Sequence, residues 1–238
     1  MKDMKIPFEL WLNINIRLSL FREYLKSMGD FIDEQRESHH AKIADILHGE
    51  NLTQEEMDFY DDLVNHGLDP IVNEESSLGQ LLDFENLLSR SLVIGMYSYL
   101  ESGLLARCRV LEETETSPIK LRDMAGQGIT KAMNYLIKVH NVGVSLGSDT
   151  NWSKIQKYRD LRNCLVHEEG RIGGDTQAQR QLLTYLHNEN HLSLSENGTE
   201  IIIFREFCED VLHVIGRFLY SIDSSHPTFI GSIFQRKI

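Results

Sequence analysis

The sequence predicts an all-α fold, a helical bundle of long antiparallel helices with a small β-hairpin inserted before the last helix. Apolar residues recur three and four apart over long stretches, the spacing that lines one face of a helix. The one strand-like signal is a pair of β-rich runs, Leu192-Ser-Leu-Ser195 and Glu200-Ile-Ile-Ile-Phe204, on either side of an Asn-Gly dipeptide. No internal repeat, low-complexity tract or linker divides the 238 residues, enough to bury a core as one domain with an appendage.

Each element has its own cause. From about Phe8 to Glu37, Trp11, Ile14, Leu18, Phe21, Leu25, Met28 and Ile32 form a seam that must pack lengthwise against other helices. A shorter helical piece around His40 to His48 stops at Gly49. Thr53-Gln-Glu-Glu56 reads as a capping box opening a helix that ends near Gly67, and Leu68-Asp-Pro70 breaks the chain. The most apolar helix, from Leu78 to Glu112, carries Leu81, Leu82, Leu88, Leu92, Met96, Leu100, Leu104 and Cys108 and is expected at the centre. Ser117-Pro118 opens a turn that Gly126 and Gly128 close. Helices follow over Ile129 to His140 and Asn151 to His167, with a loop from Gly143 to Thr150 between them. Asp175 is a plausible N-cap for a helix reaching about His187, and after the hairpin Phe207, Val211, Leu212, Ile215, Phe218 and Leu219 form the stripe of a final helix to about Ile222. Residues 1–73 then read as an N-terminal helical extension packed on the bundle, and 74–238 as a helical domain with its hairpin at about 191–204.

Composition narrows the function classes. Apolar residues make up 41% and charged residues 25%, as in an ordinary water-soluble domain. The N-terminal apolar run is interrupted by Asn13, Asn15 and Arg17, which does not suit a signal peptide, and no stretch approaches the roughly 20 apolar residues that span a bilayer. A cytoplasmic protein with no membrane association is the expectation. Cys108, Cys164 and Cys208 are far apart and lack any Cys-x-x-Cys pairing, so buried, reduced thiols are expected in place of a disulfide framework. A net charge of −12 argues against a broad nucleic-acid-coating surface, because affinity for phosphate backbones comes mainly from Lys and Arg. Any polyanion such as RNA must use a local basic cleft. Lys154, Lys157, Arg159, Arg162 and Arg171 supply the densest positive charge, against Asp160, Glu168 and Glu169.

Arg162-Asn-Cys-Leu-Val-His167, within Trp152 to Gly170, is the segment richest in chemistry. It places a permanent cation, a two-way hydrogen-bonding amide and a titratable imidazole on the last turns of an amphipathic helix. Histidine ionises near neutral pH and suits proton transfer, while the arginine fork matches phosphate oxygens and keeps its proton. Together they could drive RNA transesterification without a metal. An Arg and a His five apart arise by chance about 0.6 times in such a chain, so spacing alone also fits a helix-end histidine beside a surface ion pair. On an ideal helix the two lie about 140° apart, and they meet only if the helix end bends or a second copy faces the first. His187 and His191 lack a carboxylate or Cys to complete a metal site, and Gly170-Arg-Ile-Gly-Gly174 follows a helix without the Lys-Ser/Thr of a phosphate loop. No metal and no cofactor are expected.

Arg162-Asn163, the spacer and His167, the lead-in Tyr158-Arg-Asp-Leu161, the following Glu-Glu-Gly170 and the upstream Tyr97-Ser-Tyr-Leu-Glu101 together resemble the HEPN superfamily, over roughly Leu78 to Ile222. The resemblance implies an all-α bundle that dimerises with its motif helices facing. Many members are metal-independent endoribonucleases of toxin-antitoxin or antiviral defence systems, and others are catalytically silent binding modules. It implies that Arg162 contacts the scissile phosphate, His167 transfers a proton and Asn163 positions them, with Glu101 and Arg159 in support. The partners it implies are RNA, a second copy of the chain and an antitoxin or other defence-system protein.

Overall fold

The computed structural model describes residues 5–48, 52–66, 70–174 and 176–229. Among them the order is α1 (Lys5–His48), α2 (Gln54–Asn65), α3 (Pro70–Thr114), a 3-10 turn (Leu121–Asp123), α4 (Gly128–Lys138), α5 (Thr150–His167), α6 (Gln177–Asn188), β1 (Leu192–Leu194), β2 (Ile201–Ile203) and α7 (Arg205–Ser224). The strands pair antiparallel, Leu192 opposite Ile203 and Leu194 opposite Ile201. This is the expected all-α bundle with a hairpin ahead of the last helix. Among the described residues no helix is long and apolar enough to cross a membrane.

α3 is the centre of the bundle, touching α1, α2, α4, α5, α7 and β2. Its predicted stripe from Leu92 through Met96, Leu100 and Leu104 to Cys108 is buried, and Leu25, Met28 and Ile32 of α1 close one side of it. Leu82 was expected in this stripe, but it is 49% exposed, whereas Leu81 beside it packs against the core. The side chains of Trp11 and Ile14 lie outside the described residues.

One expected break is absent, and one helix begins earlier than expected. α1 runs unbroken for 44 residues, because Ser38, His39 and His40 interrupt neither backbone geometry nor hydrogen bonding as Gly or Pro would. Pro70 is the first residue of α3, where its missing N–H costs nothing, so α3 starts eight residues before the expected Leu78. The division expected at residue 73 therefore falls in the first turn of this helix. Gly49, Gly67, Leu68 and Asp175 lie outside the described residues.

Local signals explain most other boundaries. Thr53 and Glu56 form the capping box, each side chain bonded to the other's backbone amide at 3.3 and 2.9 Å. Thr176 and Gln179 cap α6 in the same way. In the hairpin Gly198 takes φ 72, while the Asn197 side chain accepts from the Thr199 amide and hydroxyl.

Two buried polar clusters tie the helices together. Arg107, fully buried on α3, donates from Nε and Nη2 to Asp223 of α7 at 2.8 and 2.7 Å, and Nη1 bonds the Gly103 carbonyl. Just past α3, Glu115 meets His140 Nδ1 at 2.8 Å, the Thr228 hydroxyl at 3.0 Å and His226 Nε2 at 3.5 Å, pinning the segment after α7. Partial burial would raise the Glu115 carboxyl, but these bonds and the nearby imidazoles outweigh it and hold the group below the usual carboxylate range.

Candidate functional site

α5 carries the motif, and its sequence fixes its position. Asp149 caps its start by accepting from the Trp152 amide at 2.8 Å. Trp152, Ile155, Tyr158, Leu161, Cys164 and Leu165 are buried. Trp152 stacks on Phe218 and Tyr158 meets Phe207 edge-on, which fixes the roll of α5 against α7. Val166 is 41% exposed and takes no part in this face.

Beyond His167 the helix stops sharply. Glu169 and Gly170 take φ of 54 and 76, and the Cys164 carbonyl accepts from the amides of Glu168 and Gly170. A Cβ on Gly170 would stand 3.1 Å from the Arg90 guanidinium, so glycine is needed there for both conformation and space. Arg90 reaches across from α3, bonding the carbonyls of Glu169 and Ile201 and pairing with Glu200 at 2.9 Å. It joins the end of the motif helix to β2. Arg90 was not singled out from sequence, although a lone arginine in the apolar run Leu88-Ser-Arg-Ser-Leu92 is the signal that could have found it.

Arg162 is half-buried on the flank of α5 that faces α3. Nη1 donates to Asn163 Oδ1 at 3.2 Å, and Nε is buried without a hydrogen-bond partner. Tyr97 and Glu101 of α3 complete the surroundings. Burial pushes the Tyr97 hydroxyl up to about 12 and the Glu101 charge adds to the rise, while Arg159 and Arg162 oppose it. The phenol is therefore a neutral hydrogen-bonding group at physiological pH. Glu101 does not pair with Arg162. Its Oε1 stands 3.0 Å from where a Cβ on Gly128 would be, against the N-terminus of α4, whose dipole favours a carboxylate. Arg159 bonds Asp160 at 2.8 and 3.0 Å and Gln156 at 2.7 Å, which offsets much of its charge locally.

No family model matches the chain, and no curated protein or solved structure matches it significantly.

His167 is exposed in the last turn of a helix that stays regular to that residue. In a regular helix, positions 162 and 167 lie roughly 140° apart around the axis and about 7.5 Å apart along it. The structure thus joins Arg162 to Asn163, sets Tyr97 within their electrostatic reach, turns Glu101 to α4 and leaves His167 exposed at the helix end. His187 is exposed with Nδ1 on the Leu183 carbonyl, and His191 lies beyond the end of α6. Burial raises all three thiols, Cys164 to about 11 and Cys108 and Cys208 to about 12, which suits buried cysteines without nucleophilic character. Two clefts, of about 890 and 740 Å³, lie between α1 and α3 and between α1 and α7, and no motif residue lines either.

Proposed function

We propose that the chain is a metal-independent endoribonuclease of HEPN type, acting in a prokaryotic defence or toxin-antitoxin setting. The observation that carries this reading is the state of Arg162. Its guanidinium bonds Asn163 Oδ1 and, among the described residues, pairs with no carboxylate, which leaves its charge uncommitted. A phosphate oxygen is an acceptor that such a fork fits.

The chemistry is transesterification. Neutral His167 takes the proton of a ribose 2′-hydroxyl, and the 2′-oxygen attacks the adjacent phosphorus. The bond to the 5′-oxygen breaks, leaving a 2′,3′-cyclic phosphate and, after proton return, a 5′-hydroxyl. Arg162 offsets the charge that gathers on the phosphorane oxygens, and Asn163 orients the guanidinium. Because His167 and Arg162 of one chain diverge, the working pair combines Arg162 of one copy with His167 of another across facing α5 helices. The exposed face of α5 is polar, so this contact closes around RNA more readily than without it.

The divergence also favours a second reading, a catalytically silent module that binds a partner protein or nucleotide beside Arg162. End-group analysis separates the two: the enzymatic reading expects cyclic phosphate termini from single-stranded RNA in the presence of a chelator, and the module yields none.

A further inference from the structure

α1 and α3 form a second surface, unconnected with the motif. They run antiparallel, with Arg36 paired to Glu85 at one end and Phe21 packed on Tyr99 further along. On its outer side α3 carries Ser91, Gly95, Ser98, Ser102 and Ala106 at helical spacing, a trough of small side chains floored by Phe21, Leu92 and Tyr99. Beside it α1 raises a ridge of Ile16, Leu20 and Tyr24, which are 48%, 61% and 49% exposed. Leu87, 59% exposed, extends the apolar stripe of α3.

We infer that this face holds a second copy of the chain, related by a twofold axis, with the α1 ridge of each copy seated in the α3 trough of the other. Self-complementarity is the reason. An unrelated apolar helix could fill the trough, but it would leave the neighbouring ridge bare. A partner that presents both covers both, and an isologous contact supplies that pairing. The size also fits: from Leu87 to Ala106 the stripe is about 28 Å long, and two helices are roughly 22 Å across, a plan area on the order of 600 Å². Ridge and trough relief adds to it, bringing the face to the scale of the ~800 Å² that each partner buries in a standard interface. The resulting four-helix packing leaves both α5 helices uncovered, because Tyr97, two residues from Tyr99, faces the opposite flank of α3.

The test is the mass of the full chain by light scattering and sedimentation at about 50 µM, a concentration that populates contacts of micromolar affinity. Wild type is expected above the single-chain 27.5 kDa. Leu20→Glu charges the ridge, and Gly95→Gln fills the trough. A Cβ at residue 95 stands in ordinary contact with the Phe21 ring, at 3.7 Å, so the side chain leaves the backbone without a clash there. Both are expected to halve the mass while retaining the wild-type helical spectrum, and Val166→Lys on α5 is expected to leave this contact intact. A monomeric wild type, or variants that keep the wild-type mass, would overturn the inference. So would a monomer whose groove instead takes up a helical apolar peptide or phosphatidylcholine vesicles.

Discussion

Replacing Arg107 by Met removes a fully buried guanidinium and strands the Asp223 carboxylate, which is 6% exposed. The pair is bidentate at 2.7 and 2.8 Å, and Arg107 also supplies the Gly103 carbonyl with a donor at 3.0 Å. Breaking one side of a buried pair costs about 3–5 kcal/mol, because the remaining charge has neither water nor partner. With a denaturant slope of about 3 kcal/mol/M, the urea midpoint falls by about 1 to 1.7 M. The assay is urea unfolding followed by circular dichroism, with Asp223→Leu and the double variant Arg107→Met/Asp223→Leu measured alongside. The double variant is expected to recover most of the loss, since it buries apolar groups where the single variants bury an unpaired charge. A loss below about 1 kcal/mol for Arg107→Met, or a double variant equal to the sum of the singles, would refute the reasoning.

Three further outcomes follow from the geometry. Gly170→Ala forces a side chain into φ 76 against the Arg90 guanidinium, and is expected to cost about 1–3 kcal/mol and speed amide exchange at residues 168–171; wild-type exchange there would contradict it. Iodoacetamide at pH 8 is expected to leave the folded protein unlabelled and to label all three cysteines after denaturation, because burial raises each thiol far above that pH. Glu115 has a lowered folded-state pKa, so its contribution is present above the unfolded carboxylate value near 4.5 and is lost as pH falls through the lower folded value. Glu115→Gln should therefore lower the melting temperature at pH 7 and have little effect at pH 3; equal shifts at both would exclude this linkage.

The helix and hairpin pattern was legible because short-range chemistry writes it. Thr53 with Glu56, Asn197 with Gly198 and the seam ending at Ile32 act over a few residues. The break ahead of Pro70 is where the sequence puts it, but the start of α3 and the continuity through residues 38–40 differ from expectation, because the same residue types end a helix in one place and open or continue it in another, a choice made by packing. Arg107 with Asp223, 116 positions apart, and Arg90 on the end of α5 were hidden for a different reason. An arginine in an apolar helix announces a buried cation but not its partner. At the candidate site the sequence identified Arg162, Asn163 and His167 and placed them on one helix end. It did not reveal that Glu101 turns to α4 or that the Tyr97 phenol lies within the electrostatic reach of Arg162.

The central claim is that Arg162 and His167 cleave RNA without a metal. Its most direct test is single-stranded RNA with excess chelator, incubated with wild type, His167→Ala and an equimolar mixture of His167→Ala with Arg162→Ala. The account predicts cleavage by wild type, loss of at least about 100-fold in His167→Ala, the lower end of what a general base contributes, and partial recovery in the mixture. Recovery is expected because one composite site keeps both groups. Equal cleavage by wild type and His167→Ala, or no cleavage by any of them, would contradict it.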